Sequence, residues 1–259
     1  DIFQGLITEL IKNGYQEGVD LFVLPYDWRL SNTVNAPLLK ARIDEALRKS
    51  GKEKVDIVAH SMGGVLAKEY IATFGKGSVD QLIFVGTPHL GAPKAYKALM
   101  YGDDMGITKF GISLLSQQRI KSISQNMSSM FELLPSQQYV AQHGSYVKDE
   151  VGDYVASDRT DRWLNYDETK DFMARQGRNT ALFPVAEDVH MRTDNIDLSD
   201  IRTTNIVGCG TGALSSISMT RGWSFKPLGI PLVNDIDIGY AIGDGTVPVA
   251  SAKLDTSDS

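Results

Sequence analysis

Cysteine is nearly absent: Cys209 is the one thiol in 259 residues. That excludes an internal disulfide and any metal cage built from cysteines. Basic residues are in the minority, 26 Lys and Arg against 32 Asp and Glu, for a net charge of −6 and no dense basic block. Nucleic acid is therefore a poor partner, and overall charge does not favour an anionic membrane surface. No run approaches the ~20 apolar residues that a membrane-spanning helix needs. Repeats and low-complexity tracts are missing as well. The acidic stretches at 194–200 and 255–258 have no calcium-loop spacing and read as solvated surface, so no metal is expected. What remains is 42% hydrophobic and 22% charged residues, an ordinary globular composition. The length suits one α/β domain with an insertion.

Chemistry concentrates in Val55, Asp56, Ile57, Val58, Ala59, His60, Ser61, Met62, Gly63 and Gly64. An apolar run of strand type ends in a serine flanked by small residues. A serine held exposed above a sheet needs a tight, strained strand-to-helix turn, which admits only small side chains two places before and after it. Ala59 and Gly63 fill those places. Downstream, Val65, Leu66, Tyr70 and Ile71 recur at helical spacing until Gly75. Ser61 is thus the candidate nucleophile.

The rest of the chain supplies a frame. A helical pattern opens it (Ile2, Leu6, Ile7, Leu10, Ile11), and residues 19–24 are rich in strand formers. Pro25, Tyr26, Asp27, Trp28 and Arg29 follow, a cluster suited to a buried polar network that fixes a strand end, with direct substrate contact as the alternative. A helix is expected over 35–49, with Gly51 as its stop, and a buried strand over 79–86. Strand, helix, strand, helix, strand argues for a parallel sheet with covered faces. Thr87 to Pro93 is a turn-rich loop where such sheets place ligand chemistry. Residues 1–99 read as the first part of the core and 100–204 as a cap or lid over the sheet. Residues 205–259 read as the second part of the core, with a loop and a β excursion between 210 and 240. Apolar pieces of the cap (Ile107, Phe110, Ile112, Leu114, Leu115, Met127, Met130, Phe131, Leu133, Leu134) suit either an acyl groove or plain packing.

Three stretches taken together carry a resemblance: residues 25–29, residues 59–64, and Gly243, Asp244, Gly245, Thr246, Val247 and Pro248. With Met130 to Pro135 in the cap, they resemble the lecithin:cholesterol acyltransferase family, which also includes phospholipases and phospholipid:diacylglycerol acyltransferases. The resemblance implies an α/β-hydrolase fold, a doubly wound and mostly parallel sheet with a cap. It implies acyl transfer from a lipid ester to water or an alcohol through an acyl-enzyme. Ser61 would be the nucleophile, Asp244 the acid that orients a histidine, and the backbone N–H of Met62 one oxyanion donor. A lipid ester is the implied partner, with a transient contact to a membrane or lipid surface allowed and no cofactor required.

One part of the triad is missing. In this fold the order is Ser, acid, His, and no histidine follows Asp244. His60 beside the nucleophile reads as packing, and His143 as an exposed cap residue. His89 and His190 are weak candidates for the base. The expectation is a base beyond Ser259, in a chain that lacks the first strands of the fold and its C-terminal end. Two rival readings stay open: a general lipase or carboxylesterase, and a non-catalytic lipid-binding relative without the base. Gly-Asp-Gly is also ordinary turn chemistry, which leaves Asp244 a purely structural reading.

Overall fold

The computed structural model describes residues 3–102, 117–151, 161–222 and 232–254. Helix α1 (Gln4–Lys12) opens the chain with no fully buried residue. The strand expected over 19–24 does not form; an isolated bridge between Glu17 and Leu21 is its one ladder contact among the described residues. Strand propensity is completed only by a paired neighbour, and here Leu24 and Tyr26 instead lay their side chains on the adjacent core.

Helix α2 (Asn32–Ser50) starts three residues before its expected position because Ser31 caps it, accepting the Thr33 N–H at 3.1 Å. Gly51, at a left-handed φ of 67°, ends it. Strand β1 (Val55–His60), helix α3 (Met62–Phe74), strand β2 (Val79–Val85) and helix α4 (Pro93–Tyr101) follow. Next come α5 (Gln117–Ser124), α6 (Ser128–Glu132), α7 (Gln137–His143), β3 (Val147–Val151), β4 (Arg162–Leu164), α8 (Tyr166–Arg175) and α9 (Phe183–Thr193). Strands β5 (Arg202–Ile206), β6 (Thr211–Gly222) and β7 (Leu232–Gly243) and helix α10 (Val249–Ala252) complete the described chain.

Among the described residues β1, β2 and β5 form a parallel sheet in that order. Register places Ile57 opposite Leu82 and Ala59 opposite Phe84 on one face. That face packs under Leu39 and Ile43 of α2 and Leu66 and Tyr70 of α3. Leu82 and Phe84 are fully buried, each contributing roughly 1.5–3 kcal/mol by its removal from water. On the opposite face Val58 and Ile206 stay half exposed.

A second sheet, ordered β4-β3-β6-β7, draws its strands from both sides of residue 204. Strand β3 pairs parallel to β6, and β6 and β7 form a long antiparallel hairpin where a loop with a β excursion is expected. Alternation explains it: Ile217 and Met219 of β6 are buried, and Ile236 and Ile238 of β7 pack against the same cluster. Residue-type periodicity is blurred there by Ser, Gly and Asp on the outer face. This cluster also holds Tyr96, Leu99, Phe131, Phe172 and Met173, so helices α4, α6 and α8 share one core with the hairpin.

Candidate active site

Strand β1 turns into α3 through Ser61, whose φ of 52° is the one positive value at a non-glycine residue among those described. Such a conformation costs of order 1–3 kcal/mol and persists only when its surroundings fix it. Two backbone bonds do so. The Ser61 N–H donates to Val85 O at 2.9 Å, and the Gly64 N–H donates to Ser61 O at 2.9 Å. Ala59 is buried, as the small-residue rule requires. The tightest approach is one place beyond the expected position. A Cβ on Gly64 would overlap Thr87 Oγ1, whereas one on Gly63 would meet only Tyr26 Oη at 3.8 Å. Met62 is the first residue of α3, so its N–H has no intrahelical acceptor and points from the helix end that favours negative charge. Ser61 Oγ has no hydrogen-bond partner among the described residues.

Asp244 follows β7 and reaches the same end of the parallel sheet. Its carboxylate lies against Gly86, just after β2, and its Cβ would stand 2.6 Å from a Cβ on Gly208, just after β5. The two carboxylate oxygens divide their work. Oδ1 accepts the N–H groups of Thr246 and Val247, both at 2.8 Å, closing the turn. Oδ2 has no hydrogen bond among the described residues, which leaves it able to accept an imidazole N–H. The turn bonds therefore occupy one oxygen and leave the other open.

None of the four histidines hydrogen-bonds Ser61 or Asp244. His60 is exposed and lies edge-on to Phe3 at 5.5 Å. His143 is exposed at the end of α7. His190 is buried on α9, with Nε2 2.7 Å from Glu132 O. His89 is buried edge-on to Phe84 at 4.7 Å, with Nε2 3.4 Å from Asn205 Oδ1. Burial first, and then the Lys68 charge, push its pKa down to about 3, so it stays neutral and is a poor proton acceptor.

The loop after β2 is a hub that sequence reasoning places but does not explain. Ala92 N–H donates to Leu133 O at 2.8 Å, and Ser136 N–H donates to Leu90 O at 3.0 Å, which ties the loop to the inserted region. His89 N–H donates to Ser251 O at 2.9 Å, and the Ser251 hydroxyl donates to Gly91 O, which ties it to the segment after Asp244. Gly91 is obligatory, since its φ is 85° and a Cβ would overlap Leu134 O. One loop thus links helix α3, the segment after Asp244 and the α6–α7 connection.

Residues 25–29 differ from expectation. Arg29 grips Asp27 with two bonds, Nε to Oδ1 at 2.8 Å and Nη2 to Oδ2 at 2.7 Å. The pair holds the Asp27 pKa down to about 2. It lies at the surface with Trp28, not in a buried network, because the guanidinium reaches back only two residues and stays in water. Only Tyr26 turns inward. A cluster of buried polar groups lies elsewhere, between α2, α3, α6 and α9. Glu132 accepts the Asn32 N–H at 2.9 Å and Asn32 Nδ2 at 2.7 Å, with its carboxyl pushed up by burial. Lys68 is buried, with its pKa lowered to about 8 by desolvation.

Of the apolar cap residues, Met127, Met130, Phe131 and Leu134 are buried in the second core and Leu133 packs against it. Packing, not an open groove, is their role. Ile107, Phe110, Ile112, Leu114 and Leu115 lie outside the described residues. An open apolar groove of ≈ 710 Å³ does exist beside the Asp244 turn, lined by Val207, Cys209, Ala241, Ile242, Val249, Ala250 and Lys253. Among the described residues no group of three or more His, Cys, Asp or Glu is placed to hold a metal, and no helix is long and apolar enough to cross a membrane.

Comparison with known proteins places these features in context. The sequence profile described as Lecithin:cholesterol acyltransferase matches residues 1–204. Phospholipase A(1) LCAT3 of Arabidopsis thaliana is 36% identical over 97 residues, covering 35% of this chain and 22% of that protein. The lysosomal phospholipase A and acyltransferase of Homo sapiens is 30% identical over 129 residues, covering 47% of this chain and 31% of that protein. The chain therefore spans less than a third of either relative in these matches. The crystal structure of the Tle4-Tli4 complex contains a chain with a TM-score of 0.61 at 15% identity, over 87% of this chain and 57% of that one. Together with the parallel sheet and its elbow, that likeness gives the α/β-hydrolase fold.

Proposed function

This chain belongs to the lecithin:cholesterol acyltransferase family, and from that premise we propose that it carries the acyl-transfer site of a lipid-ester acyltransferase or phospholipase-type acylhydrolase. The observation that carries the reading is the strained Ser61 at the end of β1, with the free Oδ2 of Asp244 at the same sheet edge.

The chemistry follows from those parts. A serine hydroxyl is a weak nucleophile at neutral pH and needs an adjacent base. In the proposed mechanism a histidine held by Asp244 Oδ2 accepts the Ser61 proton as Oγ attacks the ester carbonyl carbon. The carbonyl electrons move onto oxygen, and the Met62 N–H stabilises that charge. Collapse re-forms the carbonyl and expels the alcohol, which takes the proton from the imidazolium. Water or an acceptor alcohol then repeats the sequence on the acyl-enzyme. The base is assigned to none of the four histidines present, because burial makes His89 a poor proton acceptor, with Nε2 beside Asn205, and His190 is engaged with Glu132 O. The substrate is a lipid ester presented at a membrane or lipid surface, and no cofactor enters the scheme.

The test is intact mass after a fluorophosphonate probe, on the full-length protein and on its Ser61→Ala variant. A single adduct that vanishes in the variant supports the reading, and an adduct that persists overturns it. One observation favours a second reading. No histidine touches Ser61 among the described residues, as expected of a non-catalytic lipid-binding relative. Vesicle binding by the full-length protein, with neither adduct nor ester turnover, would select that reading.

A further inference from the structure

Tyr26 is the one member of the 25–29 cluster that faces the elbow, and its two ends meet different surroundings. Its ring packs against the core that α2 and α3 cover, a cluster against which Leu24 also packs. Its hydroxyl stands 3.8 Å from the Cβ position of Gly63, two residues after Ser61. Cβ positions on a helix tilt toward its N-terminus, so the hydroxyl flanks the end of α3 that carries Ser61 and the Met62 N–H. Tyrosines with buried rings normally satisfy the hydroxyl with a partner. This one has no hydrogen bond among the described residues, and burial raises its pKa to about 12, which keeps it a donor through the working range.

A donor with no protein acceptor among the described residues, open to solvent and held by a packed ring beside Ser61, fits a partner that arrives with the substrate. Resting on the acyl-transfer reading above, we propose that the Tyr26 hydroxyl donates a hydrogen bond to the oxyanion that forms when Ser61 attacks an ester, beside the Met62 N–H. No proton is transferred in that contact. As Oγ bonds to the carbonyl carbon, the π pair moves to oxygen and the hydrogen bond from the Tyr26 hydroxyl to that oxygen shortens. When the carbonyl re-forms and the alcohol leaves with the proton from the base, the contact lengthens again. Because the contact is strongest in the transition state, it raises turnover more than substrate affinity.

The experiment compares full-length wild type, Tyr26→Phe, Leu24→Ala and Ser61→Ala on a short-chain p-nitrophenyl ester, with melting temperatures for all four. Phenylalanine keeps the packed ring and removes only the donor. The inference expects Tyr26→Phe to lower kcat by roughly 10²-fold, with KM within about threefold and little change in melting. Leu24→Ala loosens the same ring cluster without removing the donor, so it should lower melting and keep most of kcat. Tyr26→Phe activity within about twofold of wild type overturns the inference and leaves the acyl-transfer reading intact. An equal loss of kcat in Leu24→Ala and Tyr26→Phe also overturns it, because the ring would then act through packing. Turnover that survives Ser61→Ala, or is absent from wild type, removes the acyl-transfer reading and this inference with it.

Discussion

The carboxylate of Asp244 stands against Gly86, so close that a Cβ on the glycine would lie 3.0 Å from Oδ2. Gly86 is also at a positive φ of 57°, at the end of the strand whose Val85 O holds the Ser61 N–H. One residue therefore sets both the approach of the acid and the end of the elbow's support. Gly86→Ala should cost about 1–2 kcal/mol from the left-handed backbone alone. Ester turnover of the full-length protein should fall further, by an order of magnitude or more, because displacing Oδ2 by ~1 Å is enough for about 10²-fold. Turnover and urea midpoints, measured together, separate the two effects.

Asp244→Asn tests the division of labour between the two oxygens. The amide oxygen can still accept from Thr246 and Val247 at the 2.8 Å positions of Oδ1, so the turn and the melting temperature should be kept. The other atom becomes an N–H₂ donor facing the base, which favours the wrong tautomer. On the proposed function, kcat of the full-length protein should drop by about 10³–10⁴. Unchanged turnover would leave Asp244 with the turn role alone.

Some of this was legible in the sequence for a physical reason. The elbow announces itself because strain restricts neighbours to small residues, and the restriction is local: Ala59, Ser61 and Gly63 are a few places apart. Helix α2 was legible through its period and Gly51, while its true start needed the Ser31 cap. The segment 19–24 was misread because its residue types suit a strand but pairing is a tertiary event, and Glu17 and Leu21 make only a single bridge. Of the β6–β7 hairpin only a β excursion within a loop is legible, because its inner face, with Ile217 and Met219, is separated by outer polar residues that resemble a loop. Nothing in the sequence shows that Gly64 rather than Gly63 meets Thr87, or that Tyr26 points inward while Asp27 and Arg29 stay out. Those depend on which strands become neighbours.

Lys68 should leave a signature in the alkaline range. Desolvation lowers its folded pKa to about 8 from an ordinary 10.5, partly offset by the Asp194 charge. A depressed pKa means that the unfolded chain binds more protons between those values, so stability rises with pH across that window and its contribution is lost as pH falls through about 8. Buried tyrosines act in the opposite direction above their ordinary pKa, so pH 8 to 10 is the useful range. Wild type should gain about 2–3 kcal/mol there relative to Lys68→Met. Urea midpoints at several pH values for both proteins measure the difference. Parallel curves would mean that Lys68 reaches water in solution.

Arg192 and Glu69 give the strongest stability prediction, at the junction of α9, α3 and α2. The Glu69 side chain is fully buried, and Arg192 clasps it with Nη2 to Oε1 at 2.7 Å and Nε to Oε2 at 3.2 Å. Thr33 Oγ1 adds a bond to Oε1 at 3.2 Å, and Asp188 pairs with the outer face of the guanidinium. Removing the cation leaves a buried carboxylate with one hydroxyl for company. Arg192→Met should therefore cost about 3 kcal/mol, toward the lower end for a broken buried pair because Arg192 itself is partly exposed. Removing both charges is a different matter, since two methionines would fill the space without an unpaired ion. The Glu69→Met/Arg192→Met double variant should recover most of the loss, giving a coupling energy of about 2 kcal/mol in a double-mutant cycle. Additive single-variant losses would show that water or Thr33 satisfies Glu69 without the arginine, and that α9 is held to α3 by apolar packing alone.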